Sequence, residues 1–416
     1  MSSGDKRPRG PKPVTKIELT DNQKTLRIIL LIGCIVVAVI SLTVALTSAL
    51  NTDPGWKVVE VTTQELNCSR DFALNYYLGD AGVSATVEYK RLLSVYQDAV
   101  VKGFWLFDES LLKDGMVNVA YLNGHLNEMV TVDVVLYEAF AQIQQAGNRC
   151  LYLGPVYLEY DRIFRSESDT EAAGYDPVTN PEQAKYLQEI AAFAMDPKHI
   201  DVELLGNNQV RLKVSSEYLA YIQENELENL LDFGWMKNAF VIDYLADTLL
   251  ENGFNKGYLL SYDGYTRNLD NRGIQYSFNL FDRIGNDIHM PAVLQYAKPV
   301  SVVYLRNYPM TDRDVCYGYS NGRIVTDQVD PVDGLSKSAL NNLVSYSYDK
   351  GCAEILLEMI PVYLQDSFAQ EKLKPMAEMG IFSIWFRERI LCYNDKDAML
   401  KLDHEQTVSY EAQFVN

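Results

Sequence analysis

The segment 231–267 carries the clearest hydrophobic pattern in the chain. An apolar stripe at helical spacing is formed by Ile242, Leu245, Ala246 and Leu249. This spacing predicts a helix, and Gly253 stands where a glycine would end it in the left-handed conformation. The apolar run from Gly257 predicts a buried strand, which the turn at Asp263-Gly264 would end. Helix N-termini and glycine turns can present backbone N–H groups to a phosphate, so this segment is a candidate phosphate site.

The same reasoning predicts alternating helices and strands over the rest of the chain. Helices are predicted at 85–101, 132–145, 181–194, 217–231 and 350–364. Strands are predicted at 72–78, 199–205, 209–214, 275–281, 292–296, 300–305, 340–348, 381–386 and 390–393. The polar segments 121–128 and 165–176 lack periodicity and are predicted to be loops. Gly206-Asn-Asn208 between two predicted strands is a strong hairpin signal, and Pro181 is predicted to begin its helix. Hairpins are frequent and no regular βαβ repeat is visible, which favours an α+β fold.

An uncharged run divides the chain into two unequal parts. Residues 28–50 are 23 residues without a charge, roughly 34 Å as a helix, which is long enough to cross a bilayer. Residues 1–27 hold seven basic and three acidic residues. Basic residues before such a run favour a single transmembrane helix with a cytoplasmic N-terminus and an extracytoplasmic body at the cell membrane. Leu31-Ile-Gly-Cys34 leaves a lipidated cysteine open as an alternative, and that would also place the body outside.

This asymmetry predicts the domain organisation. We expect a basic cytoplasmic tail (1–27), a transmembrane helix (28–50), a linker (51–67), one domain (68–395) and a C-terminal tail (396–416). Because the tail is basic, the remainder is even more acidic than the formal charge of −19 for the whole chain. Such a body repels nucleic acid, so no nucleic-acid partner is expected.

The cysteines and histidines offer little chemistry. Six cysteines occur at positions 34, 68, 150, 316, 352 and 392. None has CxxC spacing, so a zinc site is unsupported, and isolated thiols are expected. The histidines at positions 125, 199, 289 and 404 show no metal-ligand spacing. The many tyrosines could stack on a flat ligand, but they are more typical of β-rich cores.

Four motifs in order resemble one family. They are Leu231-Asp-Phe-Gly-Trp-Met-Lys-Asn-Ala-Phe-Val-Ile-Asp243, Tyr262-Asp-Gly-Tyr-Thr-Arg267, Asp327-Gln-Val-Asp-Pro-Val-Asp-Gly334 and Ala353-Glu-Ile-Leu-Leu-Glu-Met359. Their order and spacing resemble the FAD:protein FMN transferases (the ApbE family) over most of residues 70–395. The resemblance implies an ApbE-like (T-fold-like) extracytoplasmic body, typical of bacteria. Members use Mg²⁺ to cleave FAD and attach FMN to a Ser or Thr of a flavin-acceptor protein.

The resemblance assigns candidate site residues, although several depart from the family pattern. It implies FAD contacts at Gly234, Asn238, Gly264, Arg267, Asp330 and Gly334. Trp235 replaces a family glycine, Asn238 the family lysine and Asp327 the family histidine. A bulky or acidic side chain at such positions crowds or repels a phosphate, and the lost histidine removes a proton carrier.

Two glutamates take the positions of the family's metal ligands. Glu354 and Glu358 replace an Asp and a Thr, and their spacing puts both on one helical face. Carboxylate oxygens suit Mg²⁺, so the pair predicts a metal site. Two solvated glutamates on an outer helical face are the equally open alternative.

Two functions therefore remain open at this stage. In the first, the ApbE-like body has degenerate transferase motifs and binds a flavin nucleotide or a partner protein. In the alternative, it is an active, divergent FAD:protein FMN transferase that uses FAD and Mg²⁺. A purely structural envelope protein is a third, weaker hypothesis.

Overall fold

The computed structural model describes residues 52–61, 71–79, 81–311, 313–403 and 408–416. Within those ranges, no helix is both long and apolar enough to cross a membrane. The predicted transmembrane helix at 28–50 and the basic tail at 1–27 lie outside the described residues, so both stay predictions.

The described chain alternates strands and helices, as the pattern predicts. The strands are β1 (Gly55–Val59), β2 (Phe72–Leu78), β3 (Met129–Thr131), β4 (Ile200–Gly206), β5 (Gln209–Val214), β6 (Gly257–Ser261), β7 (Tyr265–Asn268), β8 (Tyr276–Ile284), β9 (Asp287–Tyr296), β10 (Val300–Arg306), β11 (Cys316–Gly318), β12 (Ile324–Thr326), β13 (Val329–Asp330), β14 (Leu335–Ser336), β15 (Asn342–Ser347), β16 (Phe382–Arg387), β17 (Ile390–Tyr393), β18 (Met399–Leu402) and β19 (Glu411–Phe414). The helices are α1 (Ala85–Leu106), α2 (Val119–Gly124), α3 (Val134–Gln145), α4 (Gly154–Phe164), α5 (Asp169–Tyr175), α6 (Pro181–Met195), α7 (Ser216–Asn225), α8 (Lys237–Glu251), α9 (Cys352–Tyr363) and α10 (Leu373–Glu378).

A nine-stranded sheet forms the centre of the molecule. Its strand order is β1-β2-β6-β7-β10-β15-β16-β17-β19, and all neighbours are antiparallel except β17 and β19. Strand β10 is buried throughout, because its side chains alternate between two cores. Val303 and Leu305 join the large core shared with α1, α8 and α9. Val302 and Tyr304 join a smaller core under the three-stranded sheet β18-β9-β8.

A helical region surrounds a third small sheet, β3-β5-β4. Its β4–β5 hairpin forms at the predicted Gly206-Asn207-Asn208 turn, where all three residues have positive φ. Glycine and asparagine tolerate that conformation better than other residues, which explains why the sequence identifies this turn. Pro181 begins α6 as predicted, after an Asn180 side chain that accepts hydrogen bonds from the first turn.

Three local predictions are wrong. The predicted loop at 165–176 contains α5, whose first turn is capped by the Ser168 side chain. The predicted loop at 121–128 begins inside α2. The predicted helix at 217–231 ends at Asn225, because Glu226 adopts the left-handed conformation with φ 52°. In each case a cap decides the boundary, whereas the prediction followed hydrophobic periodicity.

Both predicted flanking segments of the domain also contribute strands. The predicted linker 51–67 contains β1, which forms one edge of the central sheet beside β2. The predicted tail 396–416 contains β18, which pairs with β9, and β19, which forms the other edge beside β17. These edge strands are stabilised by main-chain hydrogen bonds to a partner distant in sequence, and their half-exposed side chains give no strong pattern.

The cysteines in the described ranges are free thiols, as predicted. Cys150, Cys352 and Cys392 are buried and Cys316 is partly buried. Burial raises the pKa of the Cys150 thiol to about 12 and that of Cys352 well above its usual value. Burial also raises the pKa of the Cys392 thiol. The three buried thiols are therefore protonated and act as small apolar residues.

Candidate functional site

A cavity of about 420 Å³ opens beside the N-terminus of α8. Its walls come from α1, α4, the 232–241 segment, the β6–β7 turn, the end of β10 and the 326–328 segment. This volume lies in the range of small-molecule sites. Aromatic side chains form much of the wall, namely Phe104, Tyr157, Tyr160, Phe164, Trp235, Tyr262, Tyr265 and Tyr308.

The cavity is strongly acidic. Its lining includes the carboxylates of Asp71, Glu109, Asp161, Asp232, Asp263, Asp314 and Asp327. The cationic residues of the lining are Lys237, Arg306 and Arg313. Seven carboxyl groups therefore face three cations, and the lining has an excess of negative charge when all of them ionise.

Each of these cations already has a partner in the protein. Lys237 Nζ lies 3.6 Å from a carboxylate oxygen of Glu109. Arg306 is buried and forms an ion pair with Asp314. The guanidinium of Arg313 lies 4.0 Å from the ring centroid of Tyr262. The carboxylates of Glu109 and Asp314 offset the charges of Lys237 and Arg306, whereas Arg313 keeps its charge while stacked on Tyr262.

Four aspartates of the lining have no ion-pair partner among the described residues: Asp71, Asp232, Asp263 and Asp327. Asp232 accepts a hydrogen bond of 2.6 Å from Gly234 N, and Asp263 accepts one of 2.9 Å from Asn238 Nδ2. Burial raises the pKa of Asp232 to about 7, with the charge of Glu109 adding to the effect. Burial raises the pKa of Asp327 to about 7, and the charge of Asp263 is the next cause. The pKa of Asp263 is also raised, although its side chain is exposed to solvent.

Gly234 and Gly264 are explained by internal packing. Gly234 has φ +50°, and a Cβ there would lie 2.7 Å from the ring of Tyr157. Gly264 has φ +118°, and a Cβ there would collide with the carbonyl oxygen of Tyr304. Both glycines were predicted to let backbone approach a phosphate. Their missing side chains instead make room for neighbouring parts of this chain.

Trp235 forms part of the cavity wall. It is only 8% exposed, and its carbonyl oxygen accepts a hydrogen bond of 3.1 Å from the Tyr265 hydroxyl. The indole does not close the cavity, so the bulky replacement of the family glycine has changed the wall and left space beside it.

Arg267 and Glu354 line a different cavity, of about 410 Å³. Arg267 forms ion pairs with Asp243 at 2.5 Å and with Asp247 at 3.6 Å. Glu354 forms an ion pair with Lys350 on the same helical face. The structure therefore brings Arg267 and Glu354 together and separates both from Gly234 and Asn238.

Asp330 and Gly334 belong to a tight turn between β13 and β14. Asp330 is buried, accepts a hydrogen bond from Val332 N at 2.9 Å and lies 3.3 Å from Lys337 Nζ. Gly334 has φ +71°, and a Cβ there would lie 3.1 Å from the carbonyl oxygen of Leu187. Neither residue is in the lining of the first cavity, although Tyr160 connects the two by donating a hydrogen bond to Gly334 O at 3.2 Å.

The predicted metal pair lies on α9. Glu354 is half exposed, and Glu358 is partly buried one turn further on. Within the described ranges, no group of three or more His, Cys, Asp or Glu side chains is arranged to hold a metal ion. The pair therefore stays a prediction, supported by its two carboxylates alone.

Sequence reasoning missed most of the acidic cavity. Asp71, Glu109, Asp161 and Asp314 were not singled out, and Asp327 was noted only for the histidine it replaces. These residues come from segments far apart in the chain, and each is an ordinary surface residue by its local pattern. The excess of acidic residues in the whole chain was the only available signal.

The described body is thus an α+β protein with an acidic, aromatic-walled cavity. No protein-family model matches the sequence, and no curated protein matches it. Among solved structures, an ApbE protein from Thermotoga maritima is 12% identical with a TM-score of 0.53, and the match covers 84% of this chain and 97% of that one. The flavin transferase ApbE from Vibrio cholerae is 10% identical with a TM-score of 0.52, covering 85% of this chain and 98% of that one. The chain therefore has the ApbE-like fold, which confirms the predicted fold.

Proposed function

We propose that this chain is an ApbE-like binding protein that does not transfer flavin. The observation that carries the proposal is the charge of the cavity at the N-terminus of α8. Four aspartates face it without an ion-pair partner among the described residues, and its cationic residues are engaged with other side chains. The similar solved structures support an ApbE-like fold. The function proposed for this chain is argued from the residues of its own cavity.

The residues present do not fit the pyrophosphate of FAD. Two like charges 4 Å apart repel by about 1 kcal/mol in water and by about 4 kcal/mol at the effective dielectric constant near a protein surface. Asp263 hydrogen-bonds to Asn238, which holds a carboxyl group where the resemblance places the family lysine. The N–H groups of Gly234 and Gly264 already donate to Asp232 and to the carbonyl oxygen of Ser261, so a phosphate would have to displace these acceptors.

One observation favours the alternative of an active transferase. Asp327 replaces the family histidine, lines the cavity and has its pKa raised to about 7 by burial. A carboxyl group with that pKa can exchange a proton near neutral pH, as the histidine would. Mg²⁺ would then rely on Glu354 and Glu358.

A direct assay distinguishes these functions. The full chain in detergent is titrated with FAD while flavin fluorescence is followed. It is then incubated with FAD, Mg²⁺ and a flavin-acceptor protein, and the acceptor is checked for covalent fluorescence on a denaturing gel. The flavin transferase from Vibrio cholerae is the positive control. We expect no labelled acceptor, and labelling that disappears in Asp327→Asn would establish the transferase instead.

We also propose that residues 28–50 anchor the body outside the cell membrane with residues 1–27 in the cytoplasm. The support is the uncharged length of that run and the basic residues before it. In a bacterial host, the chain should remain in membranes after alkaline carbonate extraction. Protease added to spheroplasts should digest the body and spare a tag on the N-terminus, and a protected body would contradict this orientation.

A further inference from the structure

We propose that the cavity beside α8 binds a small organic cation that also carries a hydrogen-bond acceptor. This inference rests on the proposed function, because it names the ligand class of the same cavity. It uses the shape of the cavity, the balance of its charges and one buried donor that has no partner.

The shape and walls of the cavity suit a flat organic ligand. Its volume of about 420 Å³ holds a molecule of one or two rings. Phe164 and Trp235 are in its lining, and among the described residues no cation lies over either ring. Aromatic faces attract organic cations, and partly desolvated contacts of this kind contribute about 1–2 kcal/mol each.

The charge balance selects a cation. Asp232, Asp263 and Asp327 lie in the lining without an ion pair among the described residues, whereas Lys237 and Arg306 are paired with Glu109 and Asp314. A positive ligand would supply the missing counter-charge to the three aspartates. An anion would have to displace an existing ion pair and approach uncompensated carboxylates.

A buried donor without a partner indicates that the ligand also carries an acceptor. Arg306 lines the cavity and is only 6% exposed, yet its Nε has no hydrogen-bond partner among the described residues. One terminal nitrogen, Nη2, donates both to Asp314 and to the carbonyl oxygen of Tyr262. A buried N–H without an acceptor costs about 1–3 kcal/mol, and a carbonyl oxygen on the ligand would remove that cost.

Binding should be coupled to proton release. The charged and titratable groups that face the three aspartates are Asp71, Glu109, Asp161, Asp314, Lys237, Arg306 and Arg313. Burial raises the pKa of Asp232 and of Asp327 to about 7, so these two carboxyls are partly protonated at neutral pH. A bound cation favours their ionised form, and its affinity should therefore rise between pH 6 and pH 8.

Three matched probes separate the two requirements. 4-(Aminomethyl)benzamide has a ring, an ammonium group and an amide carbonyl. 4-(Hydroxymethyl)benzamide replaces the ammonium by an uncharged hydroxyl, and benzylamine lacks the whole amide group with its carbonyl oxygen. The full chain in detergent is titrated with each probe by calorimetry, at pH 6 in phosphate and in Mes and at pH 8 in phosphate and in Hepes. The different ionisation enthalpies of the paired buffers reveal released protons.

We expect the first probe to bind, the uncharged probe to bind at least tenfold more weakly, and benzylamine to bind several-fold more weakly. Asp263→Asn and Asp327→Asn should each weaken the first probe about tenfold, while Asp98→Asn, at an exposed position of α1, should leave it unchanged. Melting curves of all variants verify folding, which these near-isosteric changes should preserve. Equal binding of the charged and uncharged probes, unchanged affinity in both cavity variants, or no binding would overturn the inference.

Two further arms separate this inference from the proposed function. The protein is also titrated with MgCl₂ alone, and we expect no binding heat. Binding heat that is lost in Asp263→Asn and in Asp327→Asn would show that these aspartates bind a metal ion, and it would overturn the proposal of an organic cation. Labelling of an acceptor protein with FAD would overturn the proposed function. If the acceptor is not labelled and no probe binds, the inference of a cationic ligand is overturned, and the proposed function stands.

Discussion

At the scale of the residue, the surroundings of each group decide its chemistry. Asp232 and Asp263 lie in motifs that resemble phosphate-binding sequences, yet both face the cavity without a counter-charge. Burial raises the pKa of Asp232 to about 7, so this group is a partly protonated acid near neutral pH. The same residue type elsewhere in the chain forms ion pairs, as Asp314 does with Arg306.

Asp232→Asn should make the protein less sensitive to rising pH. The folded-state pKa of about 7 lies above the ordinary value of about 3.9, so the folded state holds a proton that the unfolded state releases in between. The contribution of this carboxyl group to stability is therefore lost as pH rises from about 4 to 7, at about 1.4 kcal/mol for each pKa unit. Asparagine keeps the acceptor for Gly234 N and cannot ionise.

The measurement for Asp232→Asn is the melting temperature at pH 5 and pH 8. The melting temperature of the variant minus that of the wild type should be larger at pH 8 than at pH 5. Asp98→Asn, at an exposed position, serves as the control and should show no such gain. A difference between variant and wild type that is the same at both pH values would refute the assignment.

Gly264→Ala should destabilise the protein strongly. Its φ of +118° is unfavourable for alanine, and the added Cβ would meet the carbonyl oxygen of Tyr304. Backbone strain and overpacking together should lower the free energy of unfolding by about 2–5 kcal/mol, measured by denaturant titration. Gly124→Ala is the matched control, since no atom lies within 4 Å of its added Cβ. Equal effects of the two substitutions would contradict this explanation.

At the scale of the element, α9 depends on a cap supplied by another helix. Asp243 of α8 accepts hydrogen bonds of 2.8 Å from Cys352 N and 2.8 Å from Ala353 N. Gly351 precedes them without a side chain, because a Cβ there would collide with the Asp243 carboxylate. This aspartate of the resemblance motif thus joins two helices, and Arg267 neutralises its charge from β7.

Asp243→Ala should cost about 2 kcal/mol or more of unfolding free energy. It leaves two N–H groups of α9 without an acceptor and leaves the buried Arg267 with the weaker partner Asp247 alone. Asp247→Ala is the control, because that side chain is 64% exposed and should contribute less than about 1 kcal/mol. Chemical denaturation measures both, and equal costs would disprove the capping role.

At the scale of the whole molecule, the C-terminal segment holds two sheets together. Strand β19 extends the central sheet beside β17. The buried Tyr410 donates a hydrogen bond of 2.9 Å to Asp282 in β8 and packs against Phe386 of the central sheet. The contacts of this segment therefore reach both layers of the smaller core.

Deleting residues 409–416 should lower the free energy of unfolding by about 3–5 kcal/mol, since it removes a buried aromatic side chain and an edge strand. Tyr410→Phe keeps the ring and should cost only about 1 kcal/mol for the hydrogen bond. Thermal unfolding of both variants tests this order, and a deletion without effect would show that the segment is a tail, as the sequence suggested.

The sequence alone determined the elements whose signals are local. Strand β5, the β4–β5 turn and the proline start of α6 follow from residues that favour those conformations without help from distant segments. The order of the motifs was likewise enough to predict the ApbE-like fold. The uncharged run 28–50 fixed the expectation of a membrane anchor, which stays a prediction.

Tertiary structure decided the edges of the central sheet and the nature of the site. Strands β1 and β19 are stabilised by main-chain hydrogen bonds to strands distant in sequence, and no side-chain pattern predicts them. The predicted site residues fell into separate places, with Gly234 and Asn238 at one cavity and Arg267 and Glu354 at another. The acidic cavity arises because carboxylates from distant segments meet in one space, and their pKa values and missing counter-charges depend on that meeting alone.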